Sequence, residues 1–258
     1  MLMTLYFLLP IYNEEANIAS VISGLRAGQF GDEIKIVAVN DGSADRTAAI
    51  LNALSGSDLI VLGTHVNMNV GAVFSSGIKY IVSKAQDGDL LVILESDQTS
   101  AIDLVPVMLD EIRFKGKDIV VASRYLAGGG YRNFPVTRLI FSHLANRLMQ
   151  YVFPIPNVLD YTIFFRAYRI SSLRAALPYF GDSGLIQTHG FVANAELLIK
   201  LSLLSPLVAE IPFVYDYGVK RGASKINVLR TINEYFVLVA YLRRLTRKFK
   251  DYQHRTLT

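Results

Sequence analysis

The chain has 258 residues, 52% of them hydrophobic and 11% aromatic, with no cysteine and a formal charge of +4. That length and apolar content are enough for one large α/β core and exclude a disordered chain. The lack of cysteine excludes disulfides, thiolate nucleophiles and thiolate metal sites, so any metal must be held by oxygen or imidazole, oxygen being the better choice.

The run 5–9 predicts a buried first strand. It is not read as a signal peptide, because neither a cationic leader nor a small-residue cleavage site accompanies it. Further strands are predicted at 34–39, 59–62, 90–94 and 118–122, alternating with helical patterns, which gives a doubly wound, mainly parallel sheet with flanking helices. In such sheets the ligand lies beyond the carboxyl ends of the strands, here 10–14, 40–43, 65–69, 95–99 and 123–130. All five ends are polar or glycine-rich, so they predict one convergent site. Further on, the pattern predicts a helix over 137–153, an extended segment over 161–170, a helix over 192–203, a strand over 207–213, a basic loop and a last helix over 226–248. A catalytic domain is therefore placed at 1–225 and a basic amphipathic helix within 226–258. The longest apolar run of the last helix, 235–242, is far short of the roughly 18–20 residues a membrane span needs.

The polar stretch Asn13-Glu14-Glu15 and the stretch from Asn40 to Thr47 each read in two ways: as capped helix starts, or as strand ends that hold a nucleoside. Asp41 is well placed to accept from a ribose hydroxyl or a base N–H. Glu95 and Asp97 leave a wholly apolar strand two residues apart and repel unless a cation neutralises them. Mg²⁺ or Mn²⁺ shared with a diphosphate meets that need, the alternative being a solvated loop capped by Thr99 or Ser100. In the helix over 137–153, Phe141, Leu144, Leu148 and Val152 form one stripe and Arg138, Ser142, Asn146 and Gln150 another. The last helix carries Ile226, Leu229, Ile232, Phe236 and Val239, then Arg243, Arg244, Arg247, Lys248 and Lys250. That pattern suits an anionic membrane surface, with a solvated charge run as the alternative.

The stretches LPIYNEEANI and VNDGSADRT, the Glu95/Asp97 pair, Ala122-Ser123-Arg124-Tyr125 with Gly128 to Gly130, and Gly222-Ala223-Ser224-Lys225 follow one another in a revealing order. Together, over 5–225, they resemble family 2 glycosyltransferases of the GT-A fold, most closely the polyprenyl-phosphate sugar transferases of the dolichol-phosphate mannosyltransferase type. The resemblance implies that Pro10, Tyr12, Glu14, Val39 and Asp41 embrace the nucleoside of a GDP- or UDP-sugar. It implies that Glu95, Ser96, Asp97, Arg124 and Lys225 attend its diphosphate, and that Asp160 opens a catalytic segment ending at Arg166. Mg²⁺ or Mn²⁺ falls to Glu95 and Asp97, with Gln98 standing one position before the family's next ligand site, which is Thr99 here. Val219 occupies the place of a family arginine, with Lys220 and Arg221 beside it, and Arg221 is assigned to the donor. Ile163-Phe164 replaces a pair of small residues.

By the same resemblance Arg124, Arg138 and Ser142 receive the phosphate of a polyprenyl acceptor. Such a phosphate, with a second pKa of about 6, attacks the anomeric carbon with inversion and needs no strong base. The protein is then expected as a peripheral protein on the cytoplasmic face of a membrane, with no nucleic-acid partner and homo-oligomerisation left open. Two rival readings stand beside this one. A hydroxyl acceptor would need a carboxylate base such as Asp160 or Glu196. A nucleotide-binding scaffold would have kept the fold without turnover. Pro10-Ile11-Tyr12-Asn13, standing where a Gly-x-Gly-x-x-Gly turn would be, argues against a nicotinamide-dependent dehydrogenase.

Overall fold

The computed structural model describes residues 3–64, 66–180, 184–222 and 228–257. His65 and the segment 223–227, with Ser224, Lys225 and Ile226, lie outside the described residues. The expected strands form as β1 (Thr4–Ile11), β2 (Glu33–Asp41), β3 (Leu59–Thr64), β4 (Leu90–Ile93) and β5 (Ile119–Ser123). Between them lie α1 (Ile18–Ala27), α2 (Thr47–Ala53), α3 (Val70–Lys84) and α4 (Val105–Arg113). The second half adds β6 (Gly130–Arg132), α5 (Val136–Val152), β7 (Arg166–Arg169), α6 (Ile170–Phe180), α7 (Ala193–Ser202), β8 (Val208–Pro212), β9 (Val214–Asp216) and α8 (Val228–Leu257).

The main sheet runs β3-β2-β1-β4-β7-β5-β8, and β6 pairs with β9 beside it. β7 is antiparallel to both its neighbours, while the other pairings of the main sheet are parallel. β4 and β5 are buried along their whole length, as expected of central strands covered on both faces. The register sets Ile11 against Asn40 and Leu8 against Ile93, so the carboxyl ends of β1, β2 and β4 open on one side.

The helices bury the faces their periodicity dictates. α1 turns Ile18, Val21, Ile22 and Leu25 inward, the 3.6-residue stripe of a surface helix. The start of α3 fits only because residue 71 is glycine: its N–H donates to the His189 carbonyl at 3.0 Å, and a Cβ there would stand 1.7 Å from the Thr188 oxygen. α6 was not expected from the sequence. Its buried positions Ile170, Leu173, Ala176 and Phe180 keep helical spacing, but Pro178 inside it reads as a breaker.

α7 is buried over Ala193 to Leu201 despite carrying Glu196 and Lys200. These two form an ion pair at 2.6 Å with no exposure on either side chain. Glu196 also accepts from the Gln187 and Thr188 backbone N–H groups and from the Thr188 hydroxyl. The Lys200 ammonium lies 5.4 Å from the ring centres of both Phe180 and Tyr241. α8 contributes Tyr235, Leu238 and Leu242 to the same core, so this stretch of the helix assigned to a C-terminal extension is packed into the molecule.

Removing one member of a buried pair strands the other charge, at a cost of about 3–5 kcal/mol. Lys200→Ala is therefore expected to lose that much stability in urea unfolding. The double variant Glu196→Gln/Lys200→Met should recover most of it. A Lys200→Ala protein within about 1 kcal/mol of wild type would contradict this account of α7.

Candidate active site

The strand ends open into a cleft of about 530 Å³. β1 and its following loop supply Pro10, Tyr12 and Glu14, β2 supplies Asp41, the end of β4 supplies Glu95, Ser96 and Asp97, and β5 leads into Arg124. Arg138 and Ser142 of α5 line the opposite wall. These ten sequence-predicted residues are therefore brought together across 132 positions of chain.

The donor-side loops clasp one another. Asn13 accepts from the Ala44 N–H while Ser43 accepts from the Asn13 N–H, so Asn13 ties two loops together and α1 begins only at Ile18. Glu14 is buried, its N–H on the Thr47 hydroxyl and its carboxylate receiving the Asn17 amide at 2.7 Å. Asp41 accepts the Met68 N–H at 2.7 Å. The Ser96 hydroxyl donates to the Pro10 carbonyl at 2.7 Å, joining the β1 and β4 ends.

At the carboxylate pair the repulsion is visible. Burial, reinforced by the Asp97 charge, pushes the Glu95 carboxyl up from 4.5 to about 7 against the opposing Ser100 hydrogen bond. Asp97 is satisfied on both oxygens, Oδ1 by the Thr99 N–H and hydroxyl and Oδ2 by an ion pair with Lys220. Among the described residues no group of three or more acidic, histidine or cysteine side chains gathers to hold a metal. Two carboxylates fit Mg²⁺ or Mn²⁺ when diphosphate and water oxygens complete the coordination, the ordinary arrangement for Mg²⁺.

Arg124 makes a two-pronged contact with Asp160, 2.8 Å from Nε to Oδ2 and 2.8 Å from Nη2 to Oδ1, and also donates to the Thr162 hydroxyl. Its guanidinium lies 5.2 Å from the Tyr131 ring centre, 5.7 Å from that of Tyr125 and 5.9 Å from that of Tyr215. Burial alone would raise the Asp160 carboxyl, but attraction and hydrogen bonds from Arg124 outweigh it and hold the group below its usual range. Ser142, Tyr125 and Tyr131 close a ring of three hydroxyls with separations of 2.8 to 2.9 Å. Arg138 reaches the Tyr217 hydroxyl at 3.3 Å.

Four assigned residues are placed otherwise. Val39 is 2% exposed and packed in the core, where a Cβ on Gly77 of α3 would meet it at 3.2 Å, so its side chain does not line the cleft. Gln98 has a φ of 70°, and its amide pairs with Asn17 and Ser20 on the α1 side instead of joining Glu95 and Asp97. Asp160 is fully buried behind Arg124, with both carboxylate oxygens on its guanidinium, and does not line the cleft. Arg221 is exposed, and its carbonyl accepts from Asn17. Lys225 lies outside the described residues. Glu196, the other base considered, is committed to Lys200 and does not line the cleft.

Residues not assigned from the sequence also face the cleft, among them Thr162, Phe164, Phe191, Tyr215, Tyr217 and Lys220. Tyr215 and Tyr217 come from β9 and the turn after it, brought to the wall by pairing with β6. The inward face of α5 is mixed: Asn146 and Met149 are 1% and 0% exposed, whereas Val136, Ile140 and Leu144 are 69%, 53% and 60% exposed. Of the apolar stripe read from the sequence, Phe141 and Leu144 are 37% and 60% exposed, so it lies partly on the surface.

The family model Glycosyl transferase family 2 matches residues 6–177. The sequence is 26% identical over 223 residues to polyprenol monophosphomannose synthase of Mycolicibacterium smegmatis, covering 85% of this chain and 80% of that one. It is 28% identical over 231 residues to dolichol-phosphate mannosyltransferase of Pyrococcus furiosus, covering 88% of this chain but 60% of the relative. Glucosyl-3-phosphoglycerate synthase from Mycobacterium tuberculosis, solved with Mn²⁺, uridine diphosphate and glucosyl-3-phosphoglycerate, matches with a TM-score of 0.65 at 18% identity, over 95% of this chain and 80% of that chain. The fold is GT-A, as the motifs implied.

The Glu95 shift has a definite sign. The folded protein keeps a proton that the unfolded chain releases from about pH 4.5 upward, so the stability linked to it is present below that value and lost as pH approaches about 7. Without divalent metal, urea unfolding of the wild type is expected to weaken across this window, while Glu95→Gln stays level. An equal decline in both proteins would refute the assignment.

Proposed function

The chain belongs to glycosyl transferase family 2, and from that premise we propose that it transfers a sugar from a GDP- or UDP-sugar to a polyprenyl phosphate, with inversion, as a peripheral protein on the cytoplasmic face of a membrane. The observation that carries this reading is the state of the carboxylates. Glu14, Asp41, Glu95 and Asp97 line the cleft already engaged by Asn17, Met68, Ser100 and Lys220. Asp160 is locked to Arg124 and Glu196 is buried away from the cleft. A hydroxyl acceptor needs a base to take its proton. A phosphate monoester, with a second pKa of about 6, arrives largely ionised.

In this reading Asp41 and Tyr12 hold the nucleoside, and Glu95 and Asp97 hold Mg²⁺ or Mn²⁺ against the diphosphate. When bound, the cation neutralises charge on the departing nucleoside diphosphate. Arg138, with the hydroxyls of Tyr125, Tyr131 and Ser142, receives the acceptor phosphate by charge-assisted and neutral hydrogen bonds. Asp160 fixes the plane of Arg124, so that its charge is preorganised at the junction of donor and acceptor. Phe141, Ile232 and Tyr235 give the same cleft an apolar flank suited to a prenyl chain.

Transfer is tested with labelled UDP- and GDP-sugars, Mn²⁺ or Mg²⁺, and either a polyprenyl phosphate or a soluble glycan. Label is expected in the lipid. Asp97→Ala should lower the rate by at least about 10²–10³-fold, the scale of losing one preorganised charge contact, and Glu95→Asp should retain activity. Label in the glycan alone would overturn the acceptor assignment, and an undiminished Asp97→Ala the metal site.

Among the described residues no helix is long and apolar enough to cross a membrane. Support for a peripheral position comes from Phe236 and Val237, 63% and 59% exposed, with exposed Arg243, Arg244, Arg247 and Lys248 farther along α8. Each basic residue near an anionic surface contributes about 1 kcal/mol. Replacing these four by glutamine should reduce flotation with phosphatidylglycerol vesicles by well over about tenfold while neutral vesicles show no change. Unaltered flotation would remove α8 from the membrane reading.

A further inference from the structure

Lys220 is absent from the residue roles drawn from sequence, yet its ammonium is paired with Asp97 inside the cleft, the two side chains 11% and 10% exposed. Its segment is pinned at both ends. The Gly218 N–H donates to Asp216 at 2.8 Å, and the Arg221 carbonyl receives the Asn17 amide at 2.9 Å. The same Asn17 amide contacts Glu14, and the Asn17 oxygen receives Gln98, so the segment carrying Lys220 is latched to the ends of β1 and β4. Between these anchors the lysine stem is long and rotatable, and its ammonium is a compact point charge.

Asp97 has little left to offer a second cation. Oδ1 is taken by the Thr99 N–H and hydroxyl, and Oδ2 by Lys220. A divalent cation on Oδ2 would face the ammonium at close range with like sign, so the two compete for that oxygen. A displaced Lys220 would face the one strong anion a metal nucleotide brings with it, the diphosphate. Resting on the reading that Asp97 holds a divalent cation against that group, we propose that Lys220 is a displaceable internal counter-ion. It occupies Asp97 until metal and nucleoside diphosphate arrive, then moves to the diphosphate, so that the two ligands strengthen each other's binding. Coupling of this kind is reciprocal by linkage.

The test is Mn²⁺ binding to the full chain, followed by the electron paramagnetic resonance signal of free Mn²⁺, alone and with UDP or GDP. In the wild type, nucleotide is expected to raise Mn²⁺ affinity within the usual range of about 5–150-fold. Lys220→Met should bind Mn²⁺ alone more tightly than wild type, bind nucleotide less tightly, and show a smaller nucleotide effect on Mn²⁺. Lys220→Gln should behave likewise, and Lys220→Arg should keep the wild-type pattern, with melting curves confirming that each variant is folded. Equal Mn²⁺ affinity in wild type and Lys220→Met without nucleotide overturns the role of Lys220 and leaves the metal site standing. If the wild type takes up no Mn²⁺ even with UDP or GDP, the metal reading itself falls, and this inference with it.

Discussion

Two carboxylates leave the end of a strand that has no water on either face, and the cleft is organised around making that tolerable. Like charges this close, in surroundings of low dielectric, are costly unless each is answered. Glu95 is answered by Ser100 and by a carboxyl pushed up to about 7, Asp97 by Thr99 and Lys220. Both acids are thereby neutralised by partners of an exchangeable kind, a proton and a lysine ammonium, instead of by fixed backbone donors alone. A buried strand end that merely needed stability would carry no acids at all.

The opposite wall solves the complementary problem of holding a cation without water. Arg124 is 9% exposed and rests on Asp160, itself fully buried, whose backbone carbonyl and that of Tyr161 receive the guanidinium of Arg166. Arg166 in turn reaches the Asn194 carbonyl on α7. Rigid positioning of the charge facing the cleft therefore extends through β7 to the helix that buries the Glu196–Lys200 pair. The three tyrosine rings around Arg124 add favourable cation–π contact and exclude solvent, which strengthens every charge interaction in the pocket.

Much of this was legible in the sequence, for identifiable reasons. Fully apolar runs such as Leu90 to Leu94 read as buried strands, and strand ends in a parallel sheet converge by topology, so the spacing alone predicts that Pro10, Asp41, Asp97 and Arg124 share one cleft. α6 was hidden by Pro178, and β6 and β9, three residues each, are too short for any periodicity to show. Side-chain aim was the other hidden quantity. The φ of 70° at Gln98 turns its amide toward Asn17, and nothing in the residue's type or spacing reveals that. Lys220 meets Asp97 across 123 positions, a contact that only the assembled sheet and the β6–β9 pairing create. The sequence draws notice to Asp160 but does not reveal whether it faces substrate or arginine.

The orientation of α5 joins these strands of reasoning. A helix with Arg138, Ser142 and Asn146 on one face and Ile140 and Leu144 on another would ordinarily bury the apolar face. Here Ser142 and Asn146 turn inward with Met149, Asn146 bridging the Tyr161 N–H and the Thr162 hydroxyl, Ser142 held by two tyrosines. Isolated exposed leucines need no explanation, but Val136, Ile140 and Leu144 at helical spacing, on the helix whose Phe141 lines the cleft, do. A polyprenyl phosphate is a charged head on an apolar tail, and it calls for a wall that is cationic and hydroxylated within and oily at the rim. On the proposed function, α5 meets both demands at once, with Arg138 and Ser142 turned to the cleft for the head and Phe141 beside them for the tail.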